Sequence, residues 1–211
     1  MTKEQFIEEC KKINVEISQE TLILLDRFYK LMLEWNEKIN LTRIVEEKEV
    51  YLKHFYDSLT INKVVNLNEK ETLCDVGTGA GFPGLVLKIV FPNLKVTLID
   101  SLQKRVNYLN TIIKELNLKD VEAIHSRGED FKGQFDIVTS RAVANIEKLV
   151  SYTMHLTSRK GMFIAMKGNI EEELNVEVRK KIERKYNIQK IEMFNLPIEG
   201  SKRSLIVMNN K

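Results

Sequence analysis

Apolar residues recur at three- and four-residue spacing through the first third of the chain and give way to strand-like runs only after Glu71. Leu22, Leu25, Phe28, Tyr29, Met32 and Leu33 form one such stripe, predicting a long helix that Ser18 can cap. Thr2 and Gln5 have capping-box spacing, so residues 2–14 read as a shorter helix, and a third helical stretch covers about residues 46–65. From Thr72 the pattern alternates. Strands are predicted over ETLCDV, KVTLID, VEAIH, FDIVTS and GMFIAMK, with helices over residues 83–91, 103–117, 145–155 and 170–186. Two closing strands, IQKIEMF and SLIVMN, flank the loop NLPIEGSK and can form an antiparallel hairpin. Strands alternating with helices mean a mostly parallel sheet of seven strands covered on both faces. The expected division is a helical extension over residues 1–68 packed on a core over residues 69–211.

Composition removes several classes. The 211 residues are 43% hydrophobic and 30% charged, with 9 glycines and 3 prolines, ordinary for a globular chain. The longest apolar runs are far too short to span a bilayer, so no membrane partner is expected. MTKEQFIEECKK has no apolar signal core after its charges, and a cytoplasmic location follows as the expectation. Cys10 and Cys74 match no metal or disulfide spacing, and His54, His125 and His155 lack ligand spacing, so no metal is expected. The net charge of +3 is unevenly spread: residues 146–211 hold 13 basic and 8 acidic side chains, against 11 and 13 in residues 1–70. A basic C-terminal third suits a polyanionic partner. On that ground Lys167, Arg179, Lys180, Lys181, Arg184, Lys185, Lys202 and Arg203 are the candidate phosphate contacts, although acidic neighbours share the same helix.

The strongest local signal is DVGTGAGFPG, residues 75–84. Its glycines lie between a predicted strand and a predicted helix, where open α/β sheets bind nucleotides. Gly79, Gly81 and Gly84 satisfy G-x-G-x-x-G, and Asp100 follows about twenty residues on, at the second strand end, where it can hold a ribose diol. A dinucleotide and S-adenosylmethionine both fit this frame. Asp75 favours the second, because a carboxylate there repels a pyrophosphate and attracts an ammonium or sulfonium. Pro83 points the same way, since it lacks the N–H that a phosphate would use. Arg141 ends the fourth strand on the same carboxyl edge, and Lys167-Gly168 ends the fifth.

DVGTGAGFPG together with SRAVANIEKLV, WNEKINLT and HFYDSL resembles the RsmG family, once called glucose-inhibited division protein B, from about Leu22 to the C-terminus. The resemblance implies a Rossmann-like class I methyltransferase fold with an N-terminal helical extension. It further implies an S-adenosylmethionine-dependent enzyme that methylates ring nitrogen 7 of a guanine in the decoding region of 16S ribosomal RNA. By motif, Gly77, Phe82, Gly128, Glu129 and Arg141 would be cofactor residues, joined by Gly79 and Asp100 from the fold argument. Trp35, Asn36, Asn40, Thr42, His54 and Asp57 would cover one side of the pocket. The partner would be 16S ribosomal RNA or the small ribosomal subunit, met by a monomer.

The chemistry agrees with this but does not select the atom. Guanine nitrogen 7 has a free lone pair and no proton, so no general base is expected and no catalytic residue is named. The chain lacks an Asp/Asn-Pro-Pro-aromatic run and a Pro-Cys nucleophile. A small-molecule methyltransferase on the same fold and a non-catalytic ribosome-binding protein are the alternatives.

Overall fold

The computed structural model describes residues 1–141 and 144–211. Helix α1 (Lys3–Lys12) opens on the expected capping box: the Thr2 hydroxyl accepts from Gln5 N, and the Gln5 side chain accepts from Thr2 N. Ser18 caps α2 (Gln19–Ile39), which ends where Asn40 turns into the left-handed region at φ 48°. The third helical stretch is not one helix. It runs as α3 (Glu47–Val50), a π-helical segment (Tyr51–Tyr56), α4 (Asp57–Leu59) and a 3-10 turn (Thr60–Lys63). A π-turn is wider than an α-turn and re-aims the side chains that follow it.

Seven strands form one sheet in the order β3-β2-β1-β4-β5-β7-β6. They are β1 (Thr72–Val76), β2 (Lys95–Asp100), β3 (Val121–His125), β4 (Phe135–Arg141), β5 (Thr157–Lys167), β6 (Tyr186–Asn195) and β7 (Lys202–Asn210). The first five are parallel, and β7 inserts antiparallel between β5 and β6. The crossover helices are α5 (Gly84–Val90), α6 (Gln103–Glu115), α7 (Ile146–Thr153) and α8 (Val176–Glu183).

Alternation along each strand sorts the core into two layers. Leu73, Leu98, Ile137 and Ile164 join one cluster with the N-terminal helices, α5 and α6. Cys74, Val138, Phe163 and Ile206 join another with α7 and Ile182 of α8. The N-terminal helices therefore share a hydrophobic core with the sheet. Phe82, from the glycine loop, is the link. Its ring sits 5.5 Å from Phe28, 6.2 Å from Phe55 and 4.3 Å from the stacked His54 ring.

Two predicted elements differ most in extent. The helix expected over residues 170–186 shortens to α8, because Asn175 accepts from Glu177 N and Val178 N and so starts the helix late. It ends early because Tyr186 is already paired with Asn210 in β6. Strand β5 begins at Thr157 rather than Gly161, extended by its pairing with Phe135. Among the described residues no helix is long and apolar enough to cross a membrane.

Candidate active site

The glycine loop leaves β1 and is held from behind by carboxylates. Asp100 Oδ2 accepts from Gly79 N at 2.9 Å, and its Oδ1 accepts from Leu102 N at 2.9 Å. Gly77 and Gly79 have φ values of 72° and 61°, where an L side chain is strained, and this lets the loop turn sharply. Asp75 is wholly buried, and its Oδ2 accepts from Gly84 N, the first N–H of α5, at 2.8 Å.

That placement corrects one expectation and strengthens another. Asp75 does not line the cavity, so it is not a direct counter-charge to a bound ammonium or sulfonium. Instead its carboxylate takes the first N–H of α5, one of the donors a pyrophosphate would use. Burial pushes its carboxyl up to about 6.

A cavity of about 450 Å³ opens at the carboxyl ends of β1, β4 and β5. The glycine loop, the π-helical segment and the β6–β7 hairpin wall it. At its centre lies a network that spans distant parts of the chain. Arg141 Nη1 donates to Asp57 Oδ2 at 3.0 Å and to the Lys53 carbonyl at 2.9 Å. Arg203 Nε donates to Asp57 Oδ1 at 3.1 Å. Asp57, 5% exposed, thus sits between two guanidinium groups. Arg141 also lies over the Phe82 ring, 5.3 Å from its centroid.

His54 completes the wall. Its Nδ1 lies 3.2 Å from Arg141 Nη2 and its Nε2 lies 3.0 Å from Thr42 Oγ1. Nδ1 also lies 3.1 Å from the Lys53 carbonyl, so both ring nitrogens are held by the protein. Thr42 N in turn donates to Asn36 Oδ1 at 2.8 Å. The run WNEKINLT therefore ends α2 at Asn40 and fixes the imidazole through Asn36 and Thr42.

Burial, reinforced by Arg141, lowers the His54 pKa to about 3. The unfolded chain then binds more protons at this residue between about pH 3 and 6.5, so its contribution to stability is lost on acidification through that window. Asp75 acts with the opposite sign. Its raised pKa makes the folded chain bind more protons between about pH 3.8 and 6, so its contribution is lost as pH rises through that window. The two slopes oppose each other. Relative to the parent, His54→Gln should gain stability on going from pH 6 to 4 by up to about 1.4 kcal/mol per pH unit, and Asp75→Asn should lose it. Urea unfolding at a series of pH values measures both; parallel curves would refute the assignment.

The structure brings some candidate residues together and separates others. Gly77, Gly79, Phe82 and Arg141 all line the cavity. Asp100, 2% exposed, stands behind Gly79 with both oxygens already accepting. Gly128 is buried just after β3, where a Cβ would lie 2.7 Å from Val76 Cγ1, while Glu129 is exposed. Of the basic set, Lys167 and Arg203 line the cavity. Lys167 donates to Ala144 O and pairs with Glu173 at 2.7 Å. Lys202 pairs with Glu171 at 3.5 Å. Arg179, Lys180, Lys181, Arg184 and Lys185 belong to α8 or its C-terminal turn, where Arg179 pairs with Glu183 and Lys181 with Glu147. The eight cations are therefore not one patch. Ala142 and Val143 of SRAVA lie outside the described residues.

Sheet order and glycine loop are those of the Rossmann-like class I methyltransferase fold. The fold matches that of a SAM-dependent methyltransferase from Aquifex aeolicus at a TM-score of 0.58 and 20% identity, over 85% of this chain and 97% of that one. The family model described as rRNA small subunit methyltransferase G matches residues 21–206. The chain is 41% identical over its whole length to the ribosomal RNA small subunit methyltransferase G of Exiguobacterium sibiricum, covering 92% of that protein, and to that of Staphylococcus aureus, covering 91%. The chain belongs to the rRNA small subunit methyltransferase G family.

Proposed function

We propose that the protein transfers a methyl group from S-adenosylmethionine to ring nitrogen 7 of a guanine in the decoding region of 16S ribosomal RNA. The observation that carries this reading is the pairing of a glycine loop whose helix has its first N–H taken by Asp75 with a cavity lined by Arg141. A loop whose following helix already has its first N–H taken by a carboxylate, facing a guanidinium, fits a ligand that carries a carboxylate and no phosphate. S-adenosylmethionine supplies an electrophilic methyl group when bound. Gly77 and Gly79 would let its backbone-facing part approach closely, Arg141 would hold its carboxylate, and Phe82 would keep the loop docked. Asp100, Gly128 and Glu129, at the ends of β2 and β3, would serve its adenosine side. The protein would work as a single chain, without a metal, in the cytoplasm. Its partner would be the small ribosomal subunit or its RNA.

The cavity also fits an acceptor that needs no base. Its two groups able to take a proton are occupied, His54 at both nitrogens and Asp57 by two arginines. The methylated ring gains positive charge, and the Asp57 carboxylate offsets the guanidinium groups that would otherwise oppose it. Single-turnover rates with saturating cofactor and RNA should be nearly flat from about pH 6.5 to 8.5. A tenfold rise per pH unit would mean an acceptor that must first lose a proton, such as an amine or hydroxyl.

The direct experiment gives labelled S-adenosylmethionine and small ribosomal subunits to the purified protein, then digests the RNA and maps the label. Label in 7-methylguanosine is expected. Label confined to a small molecule, or to another base, would overturn the reading.

A further inference from the structure

The loop joining β6 to β7 holds a strained residue. Glu199 N donates to Pro197 O at 2.9 Å, and Ile198 between them has φ 74°. This is a γ-turn of the rare positive-φ form. A β-branched side chain is a steric outlier there, because its Cβ crowds the backbone, and glycine would meet the same need without strain. Such strain persists only where the surroundings over-determine it, and it concentrates at functional sites.

The surroundings do determine it. Gly200 N donates to Leu196 O at 3.0 Å, Leu196 N donates to Ser201 O at 2.9 Å, and the Leu196 side chain is buried. The Glu199 carboxylate reaches Lys53 Nζ at 3.1 Å. Yet the Ile198 side chain, held by all this, is 64% exposed. The loop stores strain to keep an apolar group in water.

Its position gives that group a use. Phe194 and Arg203, on either side of the loop, line the cavity, as does Lys53. Lys63 lies over the Phe194 ring at 5.1 Å, and Lys202 starts β7, so cations stand at the base of the loop, as an RNA backbone would require.

We propose that Ile198 is a wedge that enters the RNA base stack beside the target guanine and holds open the gap left when that guanine moves into the cavity. This rests on the methyl transfer to RNA proposed above. Nitrogen 7 of a stacked guanine faces the deep, narrow major groove of A-form RNA, which side chains cannot enter, so the base must be splayed out. Apolar side chains inserted between base steps are a known way of stabilising such unstacking. A rigid tip suits this role, because a mobile side chain would lose part of the insertion energy to ordering.

The test uses the full chain, small ribosomal subunits that lack the modification, and labelled S-adenosylmethionine, in single turnover with both partners saturating. Ile198→Gly should keep or raise the melting temperature, since it relieves the strain, and should bind S-adenosylmethionine as the parent does. Its methylation rate should nevertheless fall by about tenfold or more, the effect of roughly 1.4 kcal/mol on the barrier. Ile198→Leu, still a bulky apolar tip, should stay close to the parent rate. Equal rates for the glycine variant and the parent would overturn the wedge while leaving the proposed function standing. So would weaker subunit binding with an unchanged saturated rate, which describes an ordinary surface contact with RNA or ribosomal protein. No transfer to RNA by the parent would overturn the proposed function itself, and the wedge with it.

Discussion

Asp57→Ala is expected to lower stability by about 3 kcal/mol, because it leaves two half-buried guanidinium groups without their shared carboxylate. Asp57 accepts from Arg141 at 3.0 Å and Arg203 at 3.1 Å, and Arg141 has the less exposed side chain of the two. Arg203 can turn toward solvent, which limits the loss; Arg141 keeps the Lys53 carbonyl and His54, uncharged partners that leave its guanidinium buried without a counter-charge and free to shift. Methyl transfer should fall further than stability alone explains, by about a hundredfold, since Arg141 loses the anchor that fixes its direction. Asp57→Asn fills the space but removes the same charge and sets an NH2 against one arginine, so it should recover little of the stability or the activity. Urea unfolding with an unchanged slope, alongside single-turnover rates well below the unfolding zone, separates the two effects. A stable Asp57→Ala variant with parental rates would show that the two arginines need no common partner.

Gly84→Ala should cost about as much, for a steric reason. A Cβ at residue 84 would lie 2.3 Å from Leu98 Cδ2, 2.9 Å from Asp75 Oδ2 and 3.0 Å from Asp75 Cβ. Leu98 and Asp75 are wholly buried, so neither can yield without disturbing the sheet. Overpacking of this kind costs about 1–3 kcal/mol, and pushing Asp75 off the Gly84 N–H adds the penalty of an unpaired buried group, about 1–3 kcal/mol. S-adenosylmethionine affinity, measured by calorimetry, should fall with it, because the same carboxylate shapes the glycine loop. Leu98→Ala in the Gly84→Ala background should restore part of the stability. No restoration would place the strain at Asp75 alone, and a parental melting temperature in the single variant would refute the close packing. Gly79 behaves differently. Its absent Cβ meets nothing nearer than Gly77 O at 4.0 Å, so a side chain there costs through its φ of 61° and not through a clash with the protein.

The sheet was legible in the sequence because its strands are short apolar runs separated by turn residues and amphipathic helices, a pattern that needs no distant partner to recognise. The glycine loop was legible for a related reason, since its conformation is set by residues adjacent in the chain. The capping box at Thr2 and Gln5 is equally local. Where local signals compete, the sequence misled. Residues 170–175 carry a helical composition, yet Asn175 captures the two N–H groups that begin α8, and the preceding residues form turns. Asp75 was placed in the right loop and given the wrong task, because a carboxylate's charge can be read from its type but its hydrogen-bond partner, nine residues on, depends on how the loop folds back.

By itself, then, the sequence determined the order of elements, the ligand class of the loop and the family to which the motifs belong. The tertiary structure alone decided which charges meet. Asp57 and Arg203 are 146 residues apart and Asp57 and Arg141 are 84 apart; the motifs brought Asp57 and Arg141 to one pocket, but nothing in the sequence paired either arginine with that carboxylate. It also divided the basic residues between the cavity and the opposite layer, and it put a strained isoleucine on the loop between two strands that line the cavity. The physical reason is the range of the forces concerned. Backbone conformation and amphipathic pattern act over a few residues. Buried ion pairs and packing act over a few ångströms of space, and those ångströms exist only after the π-helical segment, the end of β4 and the β6–β7 hairpin have been brought to one edge of the sheet.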